Sequence, residues 1–288
     1  MPDDIGVIDL MMGLPAGDPA RWYDFLRTQL LDRESREDFE FPAEYMFHDV
    51  PKVEQHDDPV AFLLQQMDHH GIERAMIGVN FRNENGARAL RDHGDRFFGS
   101  FEVDPNRGME GVRELERAVE ELGVKAATAF PAGLTPQVPI NDRKFYPLYA
   151  KCVELDIPIC VCTGVPGPRV PFAPQETGLI DEVCWFFPEL KFVMRHGAEP
   201  WTELAVKLML KWPNLYYSTS AFAPKFYPSD VVHYANTRGV DKVMYAGYFP
   251  MGLSLDRIFS ELPDVPFRDH VWEPFLRGNA TRVFGLSN

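Results

Sequence analysis

Nowhere in the 288 residues is there a run of ~18 apolar residues, the length a membrane-spanning helix requires, so no membrane partner is expected. The opening Met1-Pro2-Asp3-Asp4-Ile5-Gly6 has neither a basic region nor an apolar segment. No secretory signal is expected, and the chain reads as cytoplasmic. Basic residues are outnumbered, 29 against 43, for a net charge of −14. A nucleic-acid partner would want a basic face and is not expected. A small anionic substrate stays compatible with this charge, because a pocket can be basic inside an acidic protein. Cysteine is scarce: Cys152, Cys160, Cys162 and Cys184. The Cys160–Cys162 spacing is wrong for a zinc knuckle, and the four read as reduced, buried thiols. No linker, repeat or low-complexity tract divides the chain, so residues 1–288 read as one domain.

What is present is alternation. Eight short β-rich runs, at 6–11, 74–79, 97–103, 124–130, 157–162, 191–195, 214–219 and 242–247, are separated by amphipathic stretches. Helical patterns cover 59–70, ending at Gly71, and 109–122, ending at Gly123. Others cover 145–155, 201–210 and 229–236, and 256–261 with 267–284 close the last helical layer. Such alternation predicts an α/β protein with parallel strands and helical crossovers. The later units repeat at about the size of a βαβ unit. This favours a (β/α)8 TIM barrel over a doubly wound open sheet. Residues 13–58 form a long insertion after the first strand, rich in aromatics: Trp22, Tyr23, Phe25, Phe39, Phe41, Tyr45 and Phe47, together with Met46. It is too aromatic for a disordered segment. It is expected to be partly helical (19–31) and to cover the barrel mouth, or else to form a dimer contact.

Barrel active sites sit at the C-terminal ends of the strands. Those ends offer Asp9, Met11 and Met12, then Asn80, Arg82 and Asn83, then Glu102 and Asp104, then Thr128 and Phe130. The remaining four offer Cys162 and Thr163 with Arg169 beyond, Arg195 with His196 and Glu199, Thr219 and Ser220 with Lys225 beyond, and Tyr248. Four cations near strand ends, Arg82, Arg169, Arg195 and Lys225, point to an anionic substrate, unless Glu102, Asp104 and Glu199 neutralise them internally. Cys162 near Arg169 or Arg195 offers a second possibility, a thiolate nucleophile with His196 as its base. His69 and His70 read as a solvated helix end. His48 and His56 read as surface residues of the insertion.

Five motifs in order resemble the amidohydrolase-related family, in the branch of aminocarboxymuconate-semialdehyde decarboxylase. Asp9-Leu10-Met11-Met12-Gly13 sits where the family has Asp-x-His-x-His. Cys162-Thr163-Gly164 is similar to its His-Thr-Gly, and Met194-Arg195-His196-Gly197 to its sixth-strand His motif. Ala246-Gly247-Tyr248-Phe249-Pro250 resembles Gly-Ser-Asp-x-Pro, and Gly278-Asn279-Ala280 the final-helix signature. The resemblance implies a zinc-like ion held by two first-strand His, the fifth-strand His and the eighth-strand Asp. Those positions here read Met11, Gly13, Cys162 and Tyr248. Neither glycine nor a protonated tyrosine supplies such a ligand, so no metal and no other cofactor is expected. The resemblance also implies an acid/base role for His196. Together these predict a metal-independent hydrolase or lyase, acting by hydrolysis, hydration or decarboxylation on a small carboxylate or acyl compound. His196 and Tyr248 would be catalytic, and Arg82, Arg169, Arg195, Lys225, Asn80 and Thr219 would bind substrate. The other reading is a non-catalytic subunit or binding protein of the same fold. A homo-oligomer, in the simplest case a homodimer, is expected.

Overall fold

Strands that are buried on both faces need apolar residues throughout, and the eight runs meet that need as a closed layer of parallel strands. They are β1 (Val7–Met12), β2 (Ile72–Gly78), β3 (Phe97–Glu102), β4 (Ala126–Ala129), β5 (Ile159–Cys162), β6 (Phe192–Arg195), β7 (Leu215–Ser218) and β8 (Val243–Met244). They pair in strict sequence order, and a parallel bridge from Met12 to Phe249 returns the eighth to the first. The computed structural model describes residues 1–2, 5–15, 21–37, 41–52, 54 and 56–287. Sequential order with closure is the TIM barrel, and it excludes the doubly wound sheet.

The period-2 alternation of each strand sorts its side chains between two cores. Ile8, Leu10, Met76, Phe98, Ala126, Cys160, Val193, Tyr216 and Met244 fill the barrel interior. Ala280, Val283 and Phe284 join that interior cluster at the end where the strands begin. Residues of opposite parity, among them Met12, Ile77, Phe101, Ile159, Met194 and Tyr217, face the helical layer.

The helices are α1 (Arg33–Glu37), α2 (Pro59–His69), α3 (Glu84–Asp92), α4 (Met109–Leu122), α5 (Tyr146–Glu154), α6 (Ile180–Phe186), α7 (Thr202–Lys211), α8 (Ser229–Ala235), α9 (Leu255–Glu261), α10 (Asp269–Glu273) and α11 (Asn279–Val283). Helix α2 starts as its sequence dictates. The Asp58 side chain accepts from Val60 and Ala61 N–H, and Pro59 occupies the first turn, where its missing donor costs nothing. Helix α4 stops at Gly123, which takes a left-handed conformation with φ +65°.

Four elements differ from the sequence expectation. Helix α3 escapes an apolar-periodicity reading because its buried residues are only Gly86 and Ala89. Helix α6 is short and leaves Trp185 and Phe186 exposed. The pattern at 267–284 is not one helix: Pro274 lacks an N–H, and a π-turn over Pro274–Gly278 separates α10 from α11. Within 19–31, Pro19 lies outside the described residues. The described part makes a single 3-10 turn, Asp24–Leu26, while Leu26 and Leu30 pack on Ala132 and Val170.

Strand β8 is short because its later donors are used elsewhere. Tyr245 N–H goes to the Phe275 carbonyl and Gly247 N–H to Asp9 Oδ1. The same Asp9 oxygen accepts from Met11 N–H at 2.8 Å, inside a register irregularity between Asp9 and Met12. This fully buried carboxylate therefore makes the β1 bulge and ties β1 to β8. The Asp9 carboxyl also meets the buried Tyr245 hydroxyl, and burial, the largest effect, pushes its pKa up to about 6. The sign follows from linkage. A carboxyl that titrates near 6 folded and near 3.8 unfolded contributes most to stability below the unfolded value, and that contribution is lost as pH rises through 6. Asp9→Asn keeps an accepting oxygen and removes the titration. Its stability relative to the parent is expected to improve by about 2 kcal/mol between pH 4 and 7. Urea denaturation across that range checks this, and a pH-independent difference contradicts it.

Candidate active site

At the C-terminal ends of the strands lies a cavity of about 1420 Å³. Met11, Asn80, Arg82, Glu102, Thr128, Cys162, Arg195, His196 and Tyr248 all line it. Met11 reaches it because of the β1 bulge, which turns two successive residues, Leu10 and Met11, toward the barrel interior.

Arg195 is the last residue of β6 and is half-buried. Its Nη2 is in contact with Met11 Sδ, and its Nε is buried with no hydrogen-bond partner. Among the described residues it forms no ion pair. Its charge is nevertheless felt around the cavity. Burial raises the Glu102 carboxyl, and the guanidinium opposes that rise. Burial likewise pushes the Cys162 thiol to about 11 and the Tyr248 phenol to about 12, again partly offset by Arg195. His196 is driven down to about 3, first by burial and then by the adjacent guanidinium, against a smaller upward effect of its hydrogen bond to Ser220. At neutral pH the site therefore holds a cation, a neutral imidazole, a neutral phenol and a neutral thiol. That state deprives Cys162 of the thiolate a nucleophile needs.

The chain turns sharply at His196. His196, Gly197 and Ala198 have φ of +62°, +90° and +57°, a conformation costly for residues other than glycine. Several bonds hold it. His196 N–H donates to Ser220 Oγ at 3.0 Å, the Tyr217 hydroxyl donates to Gly197 O, and Thr163 N–H donates to Arg195 O. The imidazole Nδ1 is buried without a partner. The ring meets Tyr248 edge-on at 5.5 Å.

Beyond Tyr248 the wall is aromatic. Phe47 stacks on it at 5.6 Å, Phe41 packs on Phe47 at 5.4 Å, and Tyr23 on Phe41 at 5.6 Å. These rings come from the 13–58 segment, whose Trp22, Phe25, Met46 and His48 also line the cavity. Phe39 lies outside the described residues. Further arginines line the cavity. Arg107 is bound to Glu110 and Glu114, Arg117 lies over the Phe81 ring, and Arg257 is bound to Glu261. Arg82 lines the same cavity and has no carboxylate partner among the described residues; its backbone N–H donates to Asn80 Oδ1 at 2.8 Å.

A family model described as amidohydrolase matches residues 18–286. The chain belongs to the amidohydrolase family. Within that family it is similar to a 2-keto-4-carboxy-3-hexenedioate hydratase from Sphingobium sp., at 31% identity over 100 residues. That match takes in 30% of this chain and spans 29% of the relative's length. In structure it resembles an uncharacterized TIM-barrel protein from Bordetella bronchiseptica, with TM-score 0.74, 22% identity, and coverage of 98% of this chain and 99% of that one. It also resembles a 5-carboxyvanillate decarboxylase from Novosphingobium aromaticivorans, solved with manganese and 4-hydroxy-3-methoxy-5-nitrobenzoic acid. There the TM-score is 0.70 at 16% identity, covering 98% of this chain and 97% of that one. At such identities the structural likeness carries the fold.

In this amidohydrolase barrel the residues singled out from sequence separate into two groups. His196, Tyr248, Arg82, Arg195 and Asn80 come together at the cavity. Three others are engaged elsewhere. Arg169 holds Asp32 and Glu34 at 2.9 and 2.8 Å and lies over Tyr45. Lys225 pairs with Glu261 at 3.4 Å. The buried Thr219 hydroxyl donates to Ala246 O and accepts from Ala246 N–H, which ties β7 to the chain after β8. Strand ends alone do not point to Arg107, Arg117 or Arg257, because these come from helices and their approaches. Among the described residues, the one group of three or more His, Cys, Asp or Glu with metal-like spacing is His69, His70 and Asp256, none of which lines the cavity. It joins the end of α2 to α9.

The turn at His196 depends on Gly197, where an added Cβ would fall 2.2 Å from the Phe222 ring in a backbone of positive φ. Gly197→Ala is expected to destabilise the protein by at least about 2 kcal/mol in urea titration. A change within about 0.5 kcal/mol would mean that the loop is not held as described.

Proposed function

We propose that this amidohydrolase is an enzyme of small carboxylates or acyl compounds, a hydrolase or lyase that works by hydrolysis, hydration or decarboxylation without a bound metal. One observation carries the reading: one open cavity is lined by Arg195, which has no ion-pair partner among the described residues, by His196 and by Tyr248. A mouth plugged by its own side chains would instead favour a non-catalytic subunit.

The metal of the family does not fit the residues at its four positions. Gly13 has no side chain, Tyr248 puts a phenol where the family has a carboxylate, and Cys162 puts a thiol where it has an imidazole. Against the fourth, Met11, stands the Arg195 guanidinium, in contact with the sulfur. Divalent-ion sites of this type are built from imidazole and carboxylate, and a fixed positive charge beside the donors opposes a second cation.

In this reading Arg195 holds the substrate carboxylate, and Arg82 with Asn80 offers polar contacts toward the other end. Tyr248 O–H donates to the oxygen on which negative charge develops. His196, neutral at the start, takes a proton from water or substrate and returns it to the departing group or the product. The aromatic wall excludes water and strengthens each of these electrostatic contacts.

The lowered His196 pKa sets a pH signature, because kcat/KM reports the free enzyme. The imidazole is already unprotonated above about pH 3. kcat/KM is therefore expected to show no histidine limb between pH 5 and 8, where an unperturbed imidazole would give one near 6.5. The test is turnover of a panel of carboxylates and acyl thioesters in chelator-treated protein, with pH profiles. His196→Ala is expected to lower kcat by about 100-fold or more. Turnover that vanishes in chelator and returns with zinc or manganese refutes the metal-free reading. Full activity in His196→Ala refutes the role of the histidine.

A further inference from the structure

We propose that the Arg195 guanidinium is the resident cation of this barrel, standing in for the divalent ion of the family and binding the substrate carboxylate directly. The inference rests on the carboxylate-enzyme reading above and gives its site a specific electrostatic centre.

The argument begins with position. The residues at the family's metal-ligand positions, Met11, Cys162 and Tyr248, line the cavity with Arg195. Arg195 touches the first of them, its Nη2 in contact with Met11 Sδ. A methionine at the first position matters here. A histidine there would present a basic nitrogen suited to a metal, whereas a thioether is a weak acceptor that a guanidinium can lie against without being neutralised. Glycine at position 13 removes a further ligand, and Met251 and Pro250 occupy the space a side chain there would take.

The second part is charge balance. Buried guanidinium groups are normally paired, because an unpaired one loses its hydration. Arg195 is half-buried, keeps a buried Nε unsatisfied and has no carboxylate within ion-pair distance among the described residues. The cavity's other cations are mostly committed: Arg107 to Glu110 and Glu114, and Arg257 to Glu261. A planar donor without a direct carboxylate partner among the described residues, facing an open, aromatic-walled space, is complementary to a planar carboxylate on an apolar body. Unlike a metal, it supplies no activated water, so the proton work falls to His196, the next residue in the chain.

Benzoate is the probe, since it has a carboxylate and an apolar ring and needs no turnover. Calorimetry is expected to show binding to the parent protein and a loss of about 10-fold to 100-fold in Arg195→Met, which keeps bulk but not charge. Arg195→Lys retains the charge without the fork. Its loss is expected to be smaller, and it serves as the folded control should the methionine variant fail to fold. Added guanidinium ion at millimolar levels is expected to restore part of the binding in Arg195→Ala. The His196 imidazole, followed by NMR, is expected to titrate higher in Arg195→Met than in the parent, while burial still holds it below the ordinary value. Equal benzoate affinity in the parent and both variants overturns the proposal. So does absence of binding to the parent, or stoichiometric zinc or manganese bound at Met11 and Cys162. If benzoate binding depends on Arg195 while no carboxylate is turned over, the cation stands and the enzyme reading fails. Turnover that needs His196 but is indifferent to Arg195 overturns the cation and leaves the enzyme reading standing.

Discussion

A single buried carboxylate holds the ends of this barrel together. Strand β1 meets the chain after β8 through an isolated bridge, Met12 to Phe249, instead of a ladder. Beside it Asp9 takes both the Met11 and Gly247 N–H groups on one oxygen. The consequence is geometric. The bulge in β1 turns Met11 inward, and the chain after β8 is pinned where Tyr248 enters the mouth. Both walls of the site therefore hang from one side chain that has been stripped of water, and charge there is kept at an energetic cost.

The mouth itself is organised by a second unbalanced charge. Arg195 lies beside a histidine that cannot hold a proton at neutral pH, and the two facts have common causes: burial and a neighbouring cation. Aromatic rings from the 13–58 segment extend from Tyr248 outward and lower the local dielectric. Under the proposed function, the donors of this site are what an anionic substrate would meet. The cations at its rim differ in this respect: Arg107 and Arg257 are neutralised by carboxylates one or two helical turns away, as i,i+3 and i,i+4 geometry favours.

Much of the architecture was legible in the chain. Eight short apolar runs and their spacing predict the barrel, and strand ends such as Asn80, Arg82, Arg195, His196 and Tyr248 follow from it directly. Where legibility failed, the cause was local. Helix α3 buries glycine and alanine, so it carries no apolar stripe. The C-terminal stretch looks continuous until Pro274 and the π-turn divide it. Arg169 and Lys225 sit just past strand ends in sequence, yet both are captured by carboxylates remote along the chain, Asp32 with Glu34 and Glu261.

By itself the order of residues determined the strand alternation, the helix stops at Gly71 and Gly123, and which side chains stand at the strand ends. All of these are local properties of backbone preference and side-chain type. The tertiary structure alone decided which cations are neutralised, which thiol and phenol stay protonated, and that a guanidinium rests against the Met11 sulfur. Pairing, desolvation and field strength depend on distances between groups far apart in the chain, and only the closed barrel sets those distances.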